Sequence, residues 1–354
     1  MIRKDMFKNN SPLVSVCIPN YNYGRYLANC LESVFNQTYS NIEVIFNDNA
    51  STDNSMEIAF EYQKKFEEKG IYFSIRRNKR NVGSALNSDV CVGASEGEYV
   101  YVLASDDAIE PTFIEKCVKV FLEYPNVGMV MTHRKEMDDE GNIYESKPFY
   151  NKSCVISGEE QAAVFMMAGI AIPGQRMIKR GAVRQVAQYN ARYQVAGDWF
   201  VNYKYTCTND VAYIKEPLCL YRVHFGNETS ESELNLMGVF EHYTLIHNFW
   251  TIANVFNQKK AIARYDAAIR KLGSMCLRYA TTMIKIEKMD IAKQYLNLAL
   301  VFDMQLIEND KYIKLSEIVK LPVGDAKEKL KQENLELKRE VSYEPPEGYI
   351  EIEV

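Results

Sequence analysis

Over about its first 135 residues, the sequence alternates short apolar runs with stretches that have helical spacing. Strand-like runs rich in Val, Ile and Tyr occur at LVSVCIP (13–19), IEVIFND (42–48), IYFSI (71–75), EYVYVL (98–103) and VGMVMT (127–132). Helical patterns lie between them, at YLANCLESVFNQ and at SMEIAFEYQKKFEEKG, which ends on Gly70 as a C-cap. Because strands that alternate with helices are joined by right-handed crossovers, the pattern predicts an α/β fold with a doubly wound, mostly parallel, Rossmann-like sheet.

The remainder of the chain divides into two parts. Further strands are predicted at QRMIKR and VAYIKEPLCLYRVH, which complete one α/β domain over residues 1–230. An α-helical C-terminal region is predicted over 231–340, followed by a tail over 341–354 that is either loose or an added edge strand. Apolar residues from Ile262 to Ile286 follow steps of three and four, which predicts one stripe on a long helix.

The apolar stripe of the C-terminal region must be covered. Packing within the chain is the preferred prediction, with a homodimer or a membrane surface as alternatives. A second helix is predicted at MDIAKQYLNLALVF, and a solvated one at DAKEKLKQENLELKRE. In the latter, Leu330 and Leu337 are one heptad apart, so a coiled-coil seam is the alternative.

Composition excludes several classes of protein. A net charge of −5 over 354 residues argues against nucleic acid as a partner, because phosphate binding needs a basic field. No apolar run approaches the roughly 20 residues of a membrane span. The N-terminal MIRKDMFKNN has no apolar segment behind it, which predicts a cytoplasmic protein, with the inner face of the membrane as a further option. The eight cysteines are scattered without metal-ligand spacing, which predicts buried, reduced thiols.

Three polar clusters follow three of the predicted strands. PNYN (19–22) follows the first, NDNASTD (47–53) the second and ASDD (104–107) the fourth. Ligands of doubly wound sheets bind beyond the carboxyl ends of the strands. The clusters are therefore expected to converge on one cleft.

The first two clusters suit a nucleotide base. Tyr21 offers a ring for stacking, while Pro19 and Asn22 shape the loop. Asp48 precedes the turn and is expected to face the cleft, where its carboxylate would accept a hydrogen bond from a ring N–H. Asp53, in contrast, is well explained as a cap of the next helix.

The third cluster contains two adjacent carboxylates whose negative charge must be compensated. Asp106 and Asp107 are adjacent at a strand end, where their mutual repulsion and desolvation are costly without a cation. Mg²⁺ or Mn²⁺ would compensate and leave positions open for diphosphate oxygens. The alternative, that they cap the helix beginning near Pro111, accounts for only one of the two.

Three ordered blocks of the sequence resemble the motifs of a known enzyme family. They are SVCIPNYNYGRYLANCLESVFNQTYSNIEVIFNDNASTDNS, NVGSALNSDVCVGASEGEYVYVLASDD, and AGDWF followed by VAYIKEPLCLYRVHFGNETS. The chain resembles, from about Pro12 to Ser230, the family 2 glycosyltransferases, which are inverting enzymes with the GT-A fold. The resemblance implies transfer of a sugar from a nucleotide-diphosphate donor to a glycan or lipid-linked acceptor, as in bacterial surface polysaccharide synthesis, and the expected donor is a UDP-sugar.

The resemblance also implies roles for individual residues. Asp198 matches the catalytic base. Asp106, with Asp107 as its alternate, matches the metal end of the Asp-x-Asp motif, and His224 falls near the diphosphate or metal. The nucleotide-sugar site is expected to contain Pro19, Tyr21, Asn22, Asp48, Asn81, Ser105 and Asp106, and the acceptor side Gly174 and Trp199.

Two residues depart from the family pattern. Ala104 stands where the first Asp of Asp-x-Asp is expected, which predicts either weaker metal binding or the accommodation of a sugar with different needs. Gly197 stands where a Glu often precedes the catalytic Asp. Two other functions stay open: a sugar-nucleotide nucleotidyltransferase, which should carry a Gly-rich basic loop after the first strand, and a non-catalytic scaffold with a degenerate metal motif.

Overall fold

The computed structural model describes residues 11–182, 193, 196–224, 234–335 and 341–354. The strands of these residues are β1 (Val14–Asn20), β2 (Ile42–Asp48), β3 (Tyr72–Arg77), β4 (Tyr99–Val102), β5 (Ala108–Ile109), β6 (Val127–Met137), β7 (Ile143–Tyr144), β8 (Cys154–Ile156), β9 (Arg176–Lys179), β10 (Asp210–Arg222) and β11 (Ile350–Glu351). They form one sheet in the order β11-β8-β10-β6-β9-β4-β1-β2-β3, with β5 added to β10 and β7 to β6.

The predicted α/β fold is confirmed. Parallel pairs join β1 to β2 and β4, β2 to β3, and β6 to β10, whereas β9 runs antiparallel between β4 and β6. The helices of this part are α1 (Gly24–Phe35), α2 (Ser55–Glu68), α3 (Ser84–Ala94), α4 (Phe113–Glu123), α5 (Gly158–Met167) and α6 (Gly197–Tyr205). Helices cover both faces of the sheet, which is why β1 and β2 are apolar runs buried almost throughout. Gly70, with φ of +76°, ends α2 as predicted.

The register of the parallel strands aligns their carboxyl ends. Asn20 of β1 lies opposite Asp48 of β2, and Asp48 lies opposite Arg77 of β3. On the other side of β1, Cys17 lies opposite Val102, so that β4 ends just before the ASDD cluster. The polar clusters therefore meet at one edge of the sheet, as the strand order predicted.

The cysteines take no part in cross-links. Seven of the eight are buried, Cys207 is half-buried, and none forms a disulfide. Burial raises the pKa of the Cys17 thiol to about 12, so this thiol stays protonated and inert at neutral pH. The prediction of buried, reduced thiols is confirmed.

The C-terminal region is helical, as predicted. Its helices are α7 (Met237–Val255), α8 (Lys259–Ile262), α9 (Tyr265–Lys285), α10 (Met289–Phe302), α11 (Asp310–Ile318) and α12 (Val323–Gln332). The stripe predicted on one helix is divided: Ile262 ends α8 and a turn through Arg264 precedes α9. Glu287, with φ of +66°, ends the helix after Lys285 and leaves Ile286 exposed.

The stripe is covered within the chain. Leu272 packs in a cluster with α5, α6 and α7, while Cys276 and Met283 pack with α10, α11 and α12. Leu330 is buried in the same cluster, so α12 is not a fully solvated helix, and Leu337 lies outside the described residues. Among the residues that the structure describes, no helix is long and apolar enough to span a membrane.

The tail returns to the sheet as an edge strand. β11 pairs antiparallel with β8, and Ile352 lies buried in the core of the α/β domain. Lys152 forms ion pairs with Glu344 and Glu351 of the tail. The edge-strand alternative is thus the one that the structure adopts.

Candidate active site

The loops after β1 and β2 are tied together by side chains. The amide of Asn22 donates to Ser51 Oγ (2.9 Å), and Asn22 Oδ1 accepts from the amide of Thr52 (2.8 Å). Asn22 has a φ of +56°, a left-handed conformation that asparagine tolerates better than most residues. Pro19 lies within β1, and Tyr21 at the loop is 41% exposed, which leaves its ring accessible for stacking.

Asp48 lies fully buried at the end of β2. Its Oδ1 accepts from Asn20 Nδ2 (3.1 Å), and its Oδ2 accepts from the amide of Ser51 (2.9 Å) and lies 3.2 Å from Arg77 Nε. Both oxygens are therefore engaged within the protein, and Arg77 brings a cation to the predicted base pocket. The hydrogen bond from Asp48 to a nucleotide base stays a prediction.

Asp53 caps two helices at once. Its Oδ1 accepts from the amide and the hydroxyl of Ser55 at the start of α2, and its Oδ2 accepts from the amide of Gly24 at the start of α1. The bond to the Ser55 hydroxyl and these amides lowers the pKa of Asp53 against the opposing effect of partial burial. The predicted capping role is confirmed and extends to a second helix.

A network of asparagine side chains lies beside this pocket. Asn49 Oδ1 accepts from Asn78 Nδ2 (2.9 Å) and its Nδ2 donates to Asn81 Oδ1 (2.8 Å). Asn78 also donates to Asn87 Oδ1 (3.0 Å), which connects the network to α3. Asn81 itself is exposed, and its Oδ1 also accepts from the amide of Gly83 (2.9 Å). The network fixes the segment after β3 against the end of β2.

Asp106 and His224 meet at the end of β4. Asp106 Oδ2 lies 3.1 Å from His224 Nε2, and both residues are largely buried. The His224 ring packs edge-on against Tyr23, with centroids 5.5 Å apart, which orients its nitrogen toward the carboxylate. Ser105 is buried beside them, and its Oγ has no hydrogen-bond partner among the described residues.

The carboxylate of Asp107 lies in a different environment from that of Asp106. It is 2% exposed, its Oδ1 accepts from the amide of Arg222 (2.8 Å), and a Cβ on Gly174 would lie 3.3 Å from its Oδ2. Burial, reinforced by the Asp106 carboxylate, holds the pKa of Asp107 well above its ordinary range. Gly174, expected on the acceptor side, is itself buried and packs against Asp107.

Arg134 and Arg222 place positive charge near Asp107, which opposes in part the rise of its pKa. Arg222 also contacts the surrounding backbone. Its guanidinium donates to the backbone carbonyls of Asp106 (2.8 Å) and Asp138 (2.7 Å), and it lies 4.4 Å from the centroid of the Tyr26 ring. Arginine suits this position because its planar group donates in several directions and stays charged when buried.

Asp198 lies in the first turn of α6, with its side chain 48% exposed. Its Oδ1 is 3.7 Å from Nη2 of the buried Arg176, whose Nη1 also donates to the Asp198 carbonyl (3.4 Å). Burial lowers the pKa of Arg176, and the Asp198 carboxylate opposes that shift.

Trp199 donates from Nε1 to the Phe165 carbonyl (2.6 Å) and stacks on the backbone of Gly169, so it contributes to packing. The acceptor roles of Gly174 and Trp199 stay predictions.

A short segment, residues 173–176, contacts both Asp107 and Asp198. Residues 173–176 run from a 3₁₀ turn (Pro173–Gln175) into β9, which pairs with both β4 and β6. Gly174 lies against Asp107, and Arg176, two residues later, holds Asp198. The Tyr101 hydroxyl of β4 donates to the Gly174 carbonyl (2.8 Å) and fixes this segment. Asp107 and Asp198 are thereby linked through residues 173–176.

The family model described as Glycosyl transferase family 2 matches residues 15–187. The matched segment contains β1 to β4, the three polar clusters and the β9 segment. Residues 15–187 belong to glycosyl transferase family 2. They form a glycosyltransferase domain, and the open, mostly parallel sheet of the chain with its flanking helices is the GT-A fold.

Curated relatives of this glycosyltransferase include polysaccharide synthases. The chain is 29% identical to chondroitin synthase of Escherichia coli over 279 residues, which cover 78% of this chain and 37% of that protein. It is 28% identical to the glycosyltransferase GlyG of Streptococcus pneumoniae (61% and 73% covered) and 33% identical to hyaluronan synthase of Pasteurella multocida (40% and 14%). The glycosyltransferase thus spans about a third of the chondroitin synthase.

Solved structures share the fold at low identity. TarS 1–349 of S. aureus in complex with UDP-GlcNAc has a TM-score of 0.53 and 16% identity, and the match covers 86% of this chain and 90% of that chain. The same fragment in complex with UDP has a TM-score of 0.51. The match covers 86% of this chain, which is more than the α/β domain alone. The shared fold therefore includes part of the C-terminal helical region.

Sequence reasoning missed the residues that hold the site in place. Arg176 and Arg222 sit in predicted strands, where nothing in a single sequence distinguishes a buried arginine from one at the surface. The asparagine network had a signal, since Asn47, Asn49, Asn78 and Asn81 cluster at the predicted ends of β2 and β3. Their pairing depends on the distance between strands, which only the sheet order supplies.

Proposed function

We propose that this glycosyltransferase transfers a sugar from a UDP-sugar to a hydroxyl group of a glycan or lipid-linked acceptor, with inversion at the anomeric carbon. The observation that carries the proposal is the Asp106–His224 pair, together with the link from the neighbouring Asp107 to Asp198 through residues 173–176. The TarS structures with UDP and UDP-GlcNAc, and the names of the chondroitin and hyaluronan synthases, support a UDP-sugar and a polysaccharide product.

The donor set at the end of β4 fits a divalent cation. A carboxylate oxygen and an imidazole nitrogen meet at 3.1 Å, and both are ligand types that Mn²⁺ accepts. Among the described residues no group of three His, Cys, Asp or Glu side chains is placed to hold a metal, so the chain would supply two ligands and the diphosphate others. A bound Mg²⁺ or Mn²⁺ would neutralise the charge on the departing UDP. Asp107 does not fit as a ligand, because its carboxylate is buried against Gly174.

Asp198 is proposed as the general base. Its half-exposed carboxylate is accessible to an acceptor hydroxyl, and Arg176 fixes its position. Because an alcohol loses its proton late, during bond formation, the carboxylate needs correct placement more than a strongly shifted pKa. A single base opposite the leaving diphosphate gives one displacement and therefore an inverted linkage.

The test is a screen of nucleotide sugars for nucleoside diphosphate release, with and without Mn²⁺ and with hydroxyl acceptors. UDP release from a UDP-sugar that depends on Asp198 and increases with Mn²⁺ is expected. A nucleotidyltransferase would instead consume nucleoside triphosphate, and a scaffold would release no UDP. The α-linked or β-linked product, read by NMR against the donor, tests inversion. The homodimer and the peripheral membrane association stay predictions.

A further inference from the structure

α6, the helix that carries Asp198, lacks the means to cap its own first turn. Its N-cap residue is Ala196, which has no side-chain acceptor, and its third helical residue is Trp199, where a capping box would place Glu or Gln. The backbone amides of this turn therefore need an acceptor from elsewhere in the protein. The residue that supplies this acceptor fixes the start of α6, and it thereby fixes the position of the Asp198 side chain.

α7 supplies that acceptor. Glu241 Oε2 accepts a hydrogen bond from the amide of Ala196 (3.2 Å). This is the contact that the glutamate of a capping box makes with its own N-cap amide, here formed between two helices. A carboxylate at this position also interacts favourably with the positive end of the α6 dipole.

Further contacts make α7 the support for the whole of α6. One turn from Glu241 along its inner face, Leu245 is fully buried, and two turns on, Phe249 stacks on Tyr203 with ring centroids 4.0 Å apart. The ring of His242 lies 5.4 Å from that of Trp199. Asn248 donates to the Tyr193 hydroxyl, in the segment that leads into α6. Helix α7 thus contacts both the start and the later turns of α6.

We infer that Glu241 is a positioning residue for Asp198, acting through the Ala196 amide at the start of α6. The inference rests on the proposed role of Asp198 as the base. Glu241 lies beyond residues 15–187, so the positioning device is contributed by the C-terminal helices and not by the matched family segment. The Ala196 amide, two residues before the base in the chain, is held by a carboxylate of a different helix, which makes catalysis dependent on how the two regions pack.

The test is a double-mutant cycle in the full-length protein. Glu241→Ala should lower kcat about ten- to a hundredfold, the range that a misplacement of about 1 Å produces, with an unchanged KM for the donor and an unchanged Kd for UDP. Glu241→Gln should retain most of kcat, because its side-chain oxygen accepts the same hydrogen bond. In an Asp198→Asn background, Glu241→Ala should cost no further activity, since the group through which it acts has been removed.

Each other outcome overturns the inference. An equal loss in both backgrounds, or a weaker Kd for UDP together with a lower Tm, would make Glu241 a merely structural residue. An unchanged kcat in Glu241→Ala would show that the contact between Glu241 and the Ala196 amide does not contribute to catalysis. Glu317→Ala, at an exposed position of α11, is the control for removal of a carboxylate from the helical region. If Asp198→Asn alone keeps wild-type kcat, the base assignment itself has failed, and the single variants distinguish the two failures.

Discussion

Two neighbouring aspartates with the same chemistry have different tasks in this site. Asp106 faces His224, whereas Asp107 is enclosed by the Arg222 amide and Gly174. The difference arises in the turn between β4 and β5, where the Asp107 amide donates to the Ala104 carbonyl (3.1 Å) and the chain then pairs with β10 at Ala108. At the residue scale, then, the two carboxylates have different partners, and of the two the proposal assigns only Asp106 to the metal and the donor.

Asp106→Ala is expected to remove the Mn²⁺-dependent part of UDP binding, since one of two protein ligands is lost. Titration calorimetry with UDP, with and without Mn²⁺, measures the effect. Asp107→Asn is the matched control: it keeps the acceptor for the Arg222 amide and should leave the UDP affinity within about twofold of wild type, which is below the tenfold step of 1.4 kcal/mol. If Asp107→Asn abolished the Mn²⁺ dependence of UDP binding and Asp106→Ala did not, the metal ligand would be Asp107.

Asp198→Asn should preserve the fold and UDP binding but lose transfer, because the amide has the size of the carboxylate without its basicity. A general base contributes about 10²- to 10⁴-fold, so kcat should fall by at least about a hundredfold. Initial rates of UDP release in the presence of acceptor provide the measurement. A smaller loss would argue that Asp198 only orients the acceptor.

At the scale of elements, the connection from α3 to β4 determines where β4 begins beside β1. Gly97 lies directly over β1, and its amide donates to Ser15 Oγ (2.8 Å). The buried Glu43 carboxylate accepts from the same hydroxyl (2.7 Å) and from the amide of Glu96 (2.6 Å). A Cβ at Gly97 would lie 2.6 Å from Ser15 Oγ and 2.7 Å from its amide nitrogen, so β4 and β1 could no longer keep their register.

Gly97→Ala is therefore expected to destabilise the protein by about 1–3 kcal/mol, the usual cost of overpacking. Gly93→Ala is its control in the same segment, because a Cβ there meets no atom within 4 Å and the residue is helical. It should leave stability unchanged or raise it by up to about 1 kcal/mol. Urea unfolding of both variants decides the matter, and equal midpoints would contradict the close approach at Gly97.

At the scale of the whole molecule, the C-terminal region is joined to the α/β domain by burial. Phe249 and Leu272 pack with residues of α5 and α6, and the tail adds β11 and Ile352 to the sheet and its core. The fold of the first 230 residues therefore depends on residues more than a hundred positions later.

Deletion of residues 231–354 should expose this apolar surface and give an aggregating or unstable protein. Deletion of residues 341–354 alone is the graded control, since it removes the edge strand but keeps α7, and its effect on Tm should be smaller. Size-exclusion chromatography and thermal unfolding measure both. A truncated protein that stays monomeric, soluble and fully active would show that the helices are a separate module.

The sequence alone determined the local structure and the location of the site at one edge of the sheet. The alternation of apolar runs with helical patterns gave the strands β1 to β4 and the helices between them, because each needs only the period of its own residues. It also placed the ASDD and PNYN clusters at one edge, because parallel strands point their carboxyl ends the same way. The stripe from Ile262 to Ile286 was predicted as one helix, but the turn before α9 and the left-handed Glu287 depend on backbone detail that periodicity does not contain.

The tertiary structure decided which side chains work together. That Asp107 turns inward, that Arg222 donates hydrogen bonds to both aspartates, and that Arg176 holds Asp198 follow from the pairing of β9 and β10 with strands distant in the chain. Glu241 meets Ala196 across 45 positions, and no local pattern marks either residue. Hydrogen bonds and ion pairs act over a few ångströms, so residues far apart in sequence acquire a shared function only when the packed fold brings their atoms within that distance.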